Sequence, residues 1–113
     1  MTKTVSIIIT NHQDQILLLK RSPDKKWYPN KWDIISDKIK NGEDPVKCFE
    51  RELWEEIGIK NYEKIENKPP YIYQEGKRKW LVHPYLCKVN NEKVKLNQEH
   101  CEYKWMDLRE ALV

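Results

Sequence analysis

The sequence lacks an apolar run long enough to cross a bilayer, and its opening residues, MTKTVSIII, lack the design of a secretory signal. Cysteine is scarce: Cys48, Cys87 and Cys101 form no CxxC pair. Such an odd, sparse set indicates reduced thiols and a cytoplasmic protein. No Cys/His cluster indicates zinc. Repeats, linkers and low-complexity tracts are also missing, so we expect a single domain over residues 1–113 with one modest core.

The sequence also has no large excess of positive or negative charge. The chain has 21 Lys and Arg against 18 Asp and Glu, a net charge of +3. Charged residues make up 35% of the chain, and the mean hydropathy of −0.90 implies a densely charged surface. Five Trp and six Tyr exclude the disordered class, which is poor in aromatic residues. We therefore expect a small anionic partner rather than a nucleic-acid polymer or a membrane.

Runs of apolar and β-branched residues predict the strands. These are residues 4–9, 15–21, 32–39, 78–89 and 102–108, with a further strand after a turn at Pro69-Pro70. The polar NHQD between the first two runs predicts a hairpin. Pro84 indicates an edge strand or a bulge. Residues 107–113, DLREALV, predict the start of a helix.

The clearest helix spans residues 44–58. Asp44 suits the N-cap, Pro45 the first helical position and Gly58 the position after the last turn. An apolar stripe at 100° per residue should face the core. It consists of Val46, Phe49, Leu53 and Ile57.

Three glutamates, Glu52, Glu55 and Glu56, fall on the neighbouring stripe near the C-terminal end of this helix. A like-charge pair at i, i+4 destabilises a helix by roughly 0.2–0.5 kcal/mol. The helix dipole favours cations at this end, by roughly 0.3–1 kcal/mol each. A solvated acidic face is one interpretation. The two penalties together favour the other, a bound cation, and oxygen ligands suit Mg²⁺ or Mn²⁺.

This region resembles the Nudix box, the signature of the Nudix hydrolases, written G-x5-E-x7-R-E-U-x-E-E-x-G-U with U apolar. Eight of its nine defined positions match, namely Glu43, Arg51, Glu52, Leu53, Glu55, Glu56, Gly58 and Ile59. The ninth does not, because the opening glycine falls on Asp37, preceded by Ser36. In the family that glycine allows a tight turn. Asp tolerates positive φ, so we expect the turn to persist. The extra carboxylate either reaches the metal or marks a weakened site.

The resemblance extends over nearly the whole chain and implies an α/β fold. The expected architecture is an α/β/α sandwich with a central mixed sheet and a loop–helix–loop catalytic motif. A typical member ends with a long second helix, whereas this chain stops at Val113. We therefore expect that helix to be short or truncated. Alternatively, a partner protein covers the face that the second helix covers in a typical member, and a homodimer is one such arrangement.

The resemblance also implies roles for individual residues. Glu52, Glu55 and Glu56 would hold Mg²⁺ or Mn²⁺, and Glu52 would also orient the attacking water. Arg51 would hold a glutamate by a bidentate ion pair, and Glu43 would orient the site. Outside the matched positions, further candidate metal ligands are Asp37 and Glu99. Glu99 is equally well explained as a solvated loop residue.

Substrate-binding candidates are less specific. Arg21 and Lys38 could neutralise phosphates, although such residues also keep proteins soluble. Trp27, Tyr28 and Trp80 could stack on a base, and ordinary packing is the alternative.

Three functions are compatible with these residues. The first is a Mg²⁺-dependent hydrolase that cleaves the diphosphate linkage of a nucleoside diphosphate derivative, either a nucleoside triphosphate, oxidised ones included, or a dinucleoside polyphosphate. The second is a nucleotide-binding regulatory domain that has lost turnover, which Ser36 and Asp37 support. The third, a relative of isopentenyl-diphosphate isomerase, requires a catalytic Cys/Glu pair for which Cys48 and Cys87 offer no recognisable context.

Overall fold

The computed structural model describes residues 1–90 and 93–111. In chain order its elements are β1 Thr2–Thr10, β2 Gln15–Arg21, β3 Trp32–Asp33, β4 Ile35–Lys38, α1 Pro45–Ile57, β5 Lys64–Asn67, β6 Tyr71–Glu75, β7 Arg78–Lys88, β8 His100–Asp107 and α2 Leu108–Ala111. Neither described helix has the length and apolar character needed to cross a membrane.

All eight described strands join one mixed sheet, and a mixed sheet is what the resemblance implied. At its centre β1 and β7 run parallel, from Thr2 opposite Trp80 to Thr10 opposite Lys88. The remaining pairings are antiparallel: β4 with β1, β8 and β3 with β2, and β5 and β6 with β7. The predicted hairpin between β1 and β2 keeps one paired position, Thr10 opposite Ile16. The single strand expected over residues 32–39 is in fact two strands, β3 and β4.

Pro84 lies inside β7, between β1 and the pair β5 and β6, so the prediction of an edge strand is wrong. Its carbonyl oxygen accepts a hydrogen bond from the Lys68 N–H at 2.9 Å. The N and O atoms of one strand residue face the same side, so the proline nitrogen also faces this side. There β5 ends at Asn67 and β6 begins at Tyr71. Pro84, which has no N–H to donate, therefore lies opposite the gap between β5 and β6, where neither strand requires that hydrogen bond.

α1 packs on the sheet through Phe49, Leu53 and Ile57, none of which is more than 1% exposed. Burying each of these side chains stabilises the fold by roughly 1.5–3 kcal/mol. Val46, predicted to share this stripe, is 42% exposed. The prediction was wrong because the buried arc also includes Glu52 and Glu56. Because the carboxylates of Glu52 and Glu56 point inward, the buried face of α1 is centred farther from Val46 than the apolar residues alone predict.

The C-terminal end of α1 is closed by a later segment of the chain. Gly58 adopts a left-handed conformation at φ 70°, confirming the expected helix stop. Lys95 N–H donates to the Ile57 carbonyl, and the Asn97 side-chain amide donates to the Glu55 carbonyl, each at 2.9 Å. Residues 95–97 therefore satisfy carbonyls that a helix end leaves without partners.

The N-terminal end of α1 has the expected Pro45 in its first turn. Asp44 occupies the cap position with an extended backbone, but its side chain makes no capping hydrogen bond. The helix predicted to start near residue 107 is confirmed as α2, Leu108–Ala111. Residues 112 and 113 of that prediction lie outside the described residues.

Candidate active site

Three carboxylates from two elements converge beside α1. Asp37 comes from β4, where it lies opposite Val5 of β1. Glu52 and Glu56 lie one turn apart on the inner side of α1. One carboxylate oxygen from each of the three lies within 4.8 Å of the others. Three acids this close repel one another strongly unless a cation or a proton intervenes.

Two of these three carboxylates are buried, which raises the free-energy cost of keeping them ionised. Glu52 is 0% exposed and Glu56 is 7% exposed. Within the described residues, Glu52 Oε2 is buried without a hydrogen-bond partner. Glu56 Oε2 is also buried and lies 3.0 Å from His100 Nδ1, without the alignment of a hydrogen bond. Burial, and next the neighbouring Asp37 carboxyl, raise the pKa of Glu52 from 4.5 to about 8. A buried acceptor without a donor is costly. An oxygen-only set of this kind fits a hard divalent cation.

Arg51 organises the outer side of this group. Its Nε donates to Glu43 Oε2 at 2.8 Å and its Nη2 to Glu43 Oε1 at 3.0 Å. Its Nη1 donates to Glu52 Oε1 at 2.8 Å and to Glu55 Oε2 at 3.2 Å. Hydrogen bonds from Arg51, and next from the Lys40 backbone, lower the pKa of Glu43 to about 2. One oxygen of Glu52 is thus held by Arg51, while the other, Oε2, has no hydrogen-bond partner in the part of the chain that the structure describes.

Glu55 and Glu99, both predicted ligands, lie apart from the three-carboxylate group. Glu55 is exposed, and its recorded side-chain partner is Arg51. Glu99 lines a cavity of about 400 Å³ that also includes Asp37 and Glu56. Its Oε2 accepts a hydrogen bond from Lys25 Nζ at 2.7 Å. The structure therefore places these two acids around the three carboxylates.

Asp37 does not form the tight turn expected at the opening of the box, so that expectation is wrong. The described non-glycine residues with positive φ are Asp14, Tyr28 and Asn30. Asp37 lies instead within strand β4, and its Oδ1 accepts a hydrogen bond from Lys38 N at 2.7 Å. An extended strand accommodates aspartate without strain. The change from glycine therefore adds a carboxylate at no cost in backbone conformation.

A second cavity, of about 500 Å³, adjoins the acidic one, and the two share Asp33 and Ser36 in their linings. Five aromatic side chains line it, namely Trp27, Tyr28, Tyr71, Tyr73 and Trp80. The Tyr73 and Trp80 ring centroids are 5.6 Å apart, and the Arg78 guanidinium lies 4.8 Å from the Trp80 ring. The sequence-based selection missed Tyr71 and Tyr73. Their alternation on β6 was the available signal, because alternate strand residues share one face.

The two candidate phosphate-binding cations occupy different places. Arg21 lines the acidic cavity, and its Nε donates to the Trp27 carbonyl at 3.0 Å. It therefore also anchors the loop that carries Trp27 and Tyr28. Lys38 lines a separate cavity with Met1 and Lys40.

The whole chain, residues 1–113, matches the NUDIX domain family. Dihydroneopterin triphosphate diphosphatase of Haemophilus influenzae is 26% identical to it over 120 residues, covering 94% of this chain and 73% of that protein. RNA pyrophosphohydrolase of Pelagibacter ubique is 28% identical over 121 residues, covering 92% of this chain and 75% of that protein.

Solved structures of similar fold also come from Nudix-type proteins. The MutT protein from Methanosarcina mazei Go1 superimposes with a TM-score of 0.81 at 27% identity, covering 98% of this chain and 80% of that one. An Ap4A hydrolase from C. elegans superimposes with a TM-score of 0.77 at 25% identity, covering 99% and 84%. The predicted α/β class and central mixed sheet are thereby confirmed. With its fold, its box residues and its family match in agreement, the chain belongs to the Nudix family and is a hydrolase of pyrophosphate bonds.

Proposed function

We propose that the protein is a Mg²⁺- or Mn²⁺-dependent hydrolase that cleaves the diphosphate linkage of nucleoside triphosphates or dinucleoside polyphosphates. The observation that carries this proposal is the convergence of Asp37, Glu52 and Glu56 within 4.8 Å. Of these acids, Glu52 presents a buried oxygen, Oε2, without a hydrogen-bond partner among the described residues. Acceptors without donors are what a hard cation site requires.

In this proposal Asp37, Glu52 and Glu56 hold the ion. When bound, the ion supplies charge neutralisation for the phosphates and an acidified water. Arg51 fixes Glu52 through Oε1, so that Oε2 keeps its direction, and Glu43 in turn fixes Arg51. Glu52 orients the attacking water. Glu55 and Glu99, at the edge of the site, are the further candidates for ligation or for accepting a proton.

The two adjoining cavities suggest how a substrate lies. Arg21 supplies positive charge beside the carboxylates. Trp27 and Trp80 line the aromatic cavity and provide flat surfaces for a base. Lys38 is not among the residues that line either cavity, so we assign it a weaker part in attracting phosphates. The names of the relatives, which describe a triphosphate diphosphatase, a pyrophosphohydrolase and an Ap4A hydrolase, support a phosphoanhydride substrate.

A nucleotide-binding domain without turnover is the second candidate, and Asp37 at the opening of the box is the observation that favours it. An isomerase with a catalytic cysteine is disfavoured by both buried thiols. Burial raises the pKa of Cys48 and of Cys87 to about 12, so neither forms a thiolate near neutral pH.

The deciding experiment is release of phosphate or pyrophosphate from a panel of nucleoside triphosphates and dinucleoside polyphosphates with Mg²⁺ or Mn²⁺. We expect release that Glu56→Gln lowers by at least about 100-fold, an effect of the size typical for a lost charge-stabilising group. Glu50→Gln, at an exposed position of the same helix, is the matched control.

Turnover that survives Glu56→Gln would contradict the site. Nucleotide binding without release by the unaltered protein would favour the binding domain. Asp37→Asn tests whether Asp37 is a metal ligand or a residue that impairs turnover. Weaker metal binding by this variant identifies Asp37 as a ligand, whereas faster turnover identifies it as an impairment.

A further inference from the structure

We propose that His100 is a positioning residue of the metal site, which donates a hydrogen bond from Nδ1 to Glu56 and fixes the direction of that carboxylate. This inference rests on the proposed function in one respect, the assignment of Glu56 as a ligand of the divalent cation. His100 is not among the nine positions of the Nudix box. Its assignment comes from the contact between β8 and α1 alone.

The contact joins two buried groups that otherwise lack partners. His100 Nδ1 lies 3.0 Å from Glu56 Oε2, and the two side chains are 8% and 9% exposed. Neither atom has an aligned hydrogen-bond partner within residues 1–90 and 93–111. Leaving a buried donor and a buried acceptor unpaired destabilises the folded state. A small rotation of the ring or the carboxylate, with the proton on Nδ1, satisfies both.

The chain around His100 is held against the end of the helix that carries Glu56. Asn97 Nδ2 donates to the Glu55 carbonyl at 2.9 Å, and His100 N–H donates to the Asn97 carbonyl at 3.4 Å. On its other side His100 lies opposite Arg21 in the pairing of β8 with β2, at a register shift. The imidazole therefore has a fixed place relative to the last turn of α1.

Histidine has a physical advantage over the alternatives here. A lysine or arginine would satisfy Glu56, but its permanent charge would compete with the cation that the carboxylates attract. The neutral imidazole of the Nδ1–H tautomer donates one hydrogen bond and adds no charge. With Oε2 held by His100, Glu56 keeps Oε1 for the ion. Orienting contacts of this kind typically change metal affinity 10- to 100-fold.

The test measures metal binding without substrate, by calorimetric titration and by the rise in Tm that Mg²⁺ or Mn²⁺ alone produces. His100→Leu removes the donor and should weaken binding of both ions roughly 10- to 100-fold. His100→Asn places an amide N–H close to the position of Nδ1 and should restore affinity to within a few-fold of the unaltered protein. His12→Leu is the control, because His12 is exposed and contacts Glu63 instead.

Two results would overturn the proposal. One is metal affinity of His100→Leu equal to that of the unaltered protein, while Glu56→Gln abolishes binding. The other is a selective loss of Mn²⁺ over Mg²⁺ in both His100 variants, which would make the imidazole a direct ligand. If Glu56→Gln itself leaves binding unchanged, the proposed site fails along with this inference. If His100→Leu does not fold, His100→Gln replaces it in the test. The glutamine amide lies one bond farther from the backbone than the asparagine amide, so we expect the His100→Gln protein to bind metal more weakly than the His100→Asn protein.

Discussion

Arg51 and Glu43 form a two-point ion pair, with Nε–Oε2 and Nη2–Oε1 distances of 2.8 and 3.0 Å. The pair joins the loop before α1 to the middle of the helix. Because the third guanidinium nitrogen of Arg51 holds Glu52, the position of the buried acid depends on the loop as well as on the helix. A planar guanidinium can make these contacts simultaneously, whereas an ammonium group cannot.

Replacing Arg51 should therefore be costly. Arg51→Ala leaves the oxygens of Glu43 and Glu52 without their donor, and we expect the free energy of unfolding to fall by roughly 3 kcal/mol, since each buried acceptor left unpaired costs roughly 1–3 kcal/mol. Arg51→Lys keeps the charge but loses the two-point geometry, for a loss of about 1–2 kcal/mol. Urea denaturation measures both. Lys47→Ala, at an exposed position of α1 with a 3.7 Å ion pair to Glu50, should change stability by no more than about 0.5 kcal/mol. Equal effects at positions 47 and 51 would contradict this account.

The stability of the metal-free protein should depend on pH through Glu52. Its pKa rises from 4.5 to about 8 on folding, so between these values the folded state binds more protons than the unfolded state. Stability is therefore highest below about pH 4.5 as far as this group is concerned, and is lost as pH rises towards 8. Thermal melts across this range test the sign.

Glu52→Gln is the matched variant for that measurement, because it removes the titrating group and should flatten the decline. Saturating Mg²⁺ should also reverse the decline, since a cation stabilises the ionised carboxylate. Stability of the metal-free protein that rises steadily from pH 5 to pH 8, in both the unaltered protein and Glu52→Gln, would refute the burial argument.

Aromatic stacking in the second cavity should appear in substrate affinity. Trp80→Ala removes a flat surface, and we expect KM for a nucleoside triphosphate to rise roughly 5- to 150-fold with a smaller change in kcat. Trp27→Ala should act in the same direction. Trp54→Ala is the control, because Trp54 is 51% exposed on α1 and packs against Lys60 outside the cavity. Steady-state kinetics with inorganic tripolyphosphate, which has no base, should show no such rise.

Gly58 should tolerate substitution less well than Gly42, although both have positive φ, at 70° and 79°. An alanine Cβ at position 58 would lie 3.0 Å from the Lys95 Cβ, whereas at position 42 it would meet nothing within 4 Å. Gly42→Ala should cost about 1–2 kcal/mol for the left-handed backbone alone. Gly58→Ala should cost at least about 1 kcal/mol more, because the segment that closes α1 must move. Denaturation midpoints of the two variants provide the comparison.

Local patterns were sufficient to predict much of the fold. The proline at the start of α1, the glycine at its end and most of the apolar runs act over a few residues and had their expected structural effect, whereas the run over residues 32–39 divided into two strands. The parallel pairing of β1 with β7 could not be predicted in this way, because it joins residues almost 80 positions apart and leaves no short-range signal. Val46 was misplaced because the periodicity of apolar residues ignores buried acids.

The candidate site shows the same division. The spacing of Glu52 and Glu56 on one helix placed them together from sequence. Asp37 was recognised as an anomaly, but its extended conformation depends on pairing with Val5, which only the sheet reveals. The contact of His100 with Glu56 could not be predicted from the sequence, because the two residues are 44 positions apart in the chain.

The pairing of β2 with β8 brings Arg21 opposite His100 and so unites an early strand with the last strand that the structure describes. One wall of the acidic cavity, with Glu99 and His100, is consequently the last part of the pocket to leave the ribosome. Loop-closure entropy must be overcome before that wall can settle against Glu56. A nascent chain therefore carries the glutamates of α1 well before it can enclose them, and competence for ion capture should emerge only after β8 has been synthesised.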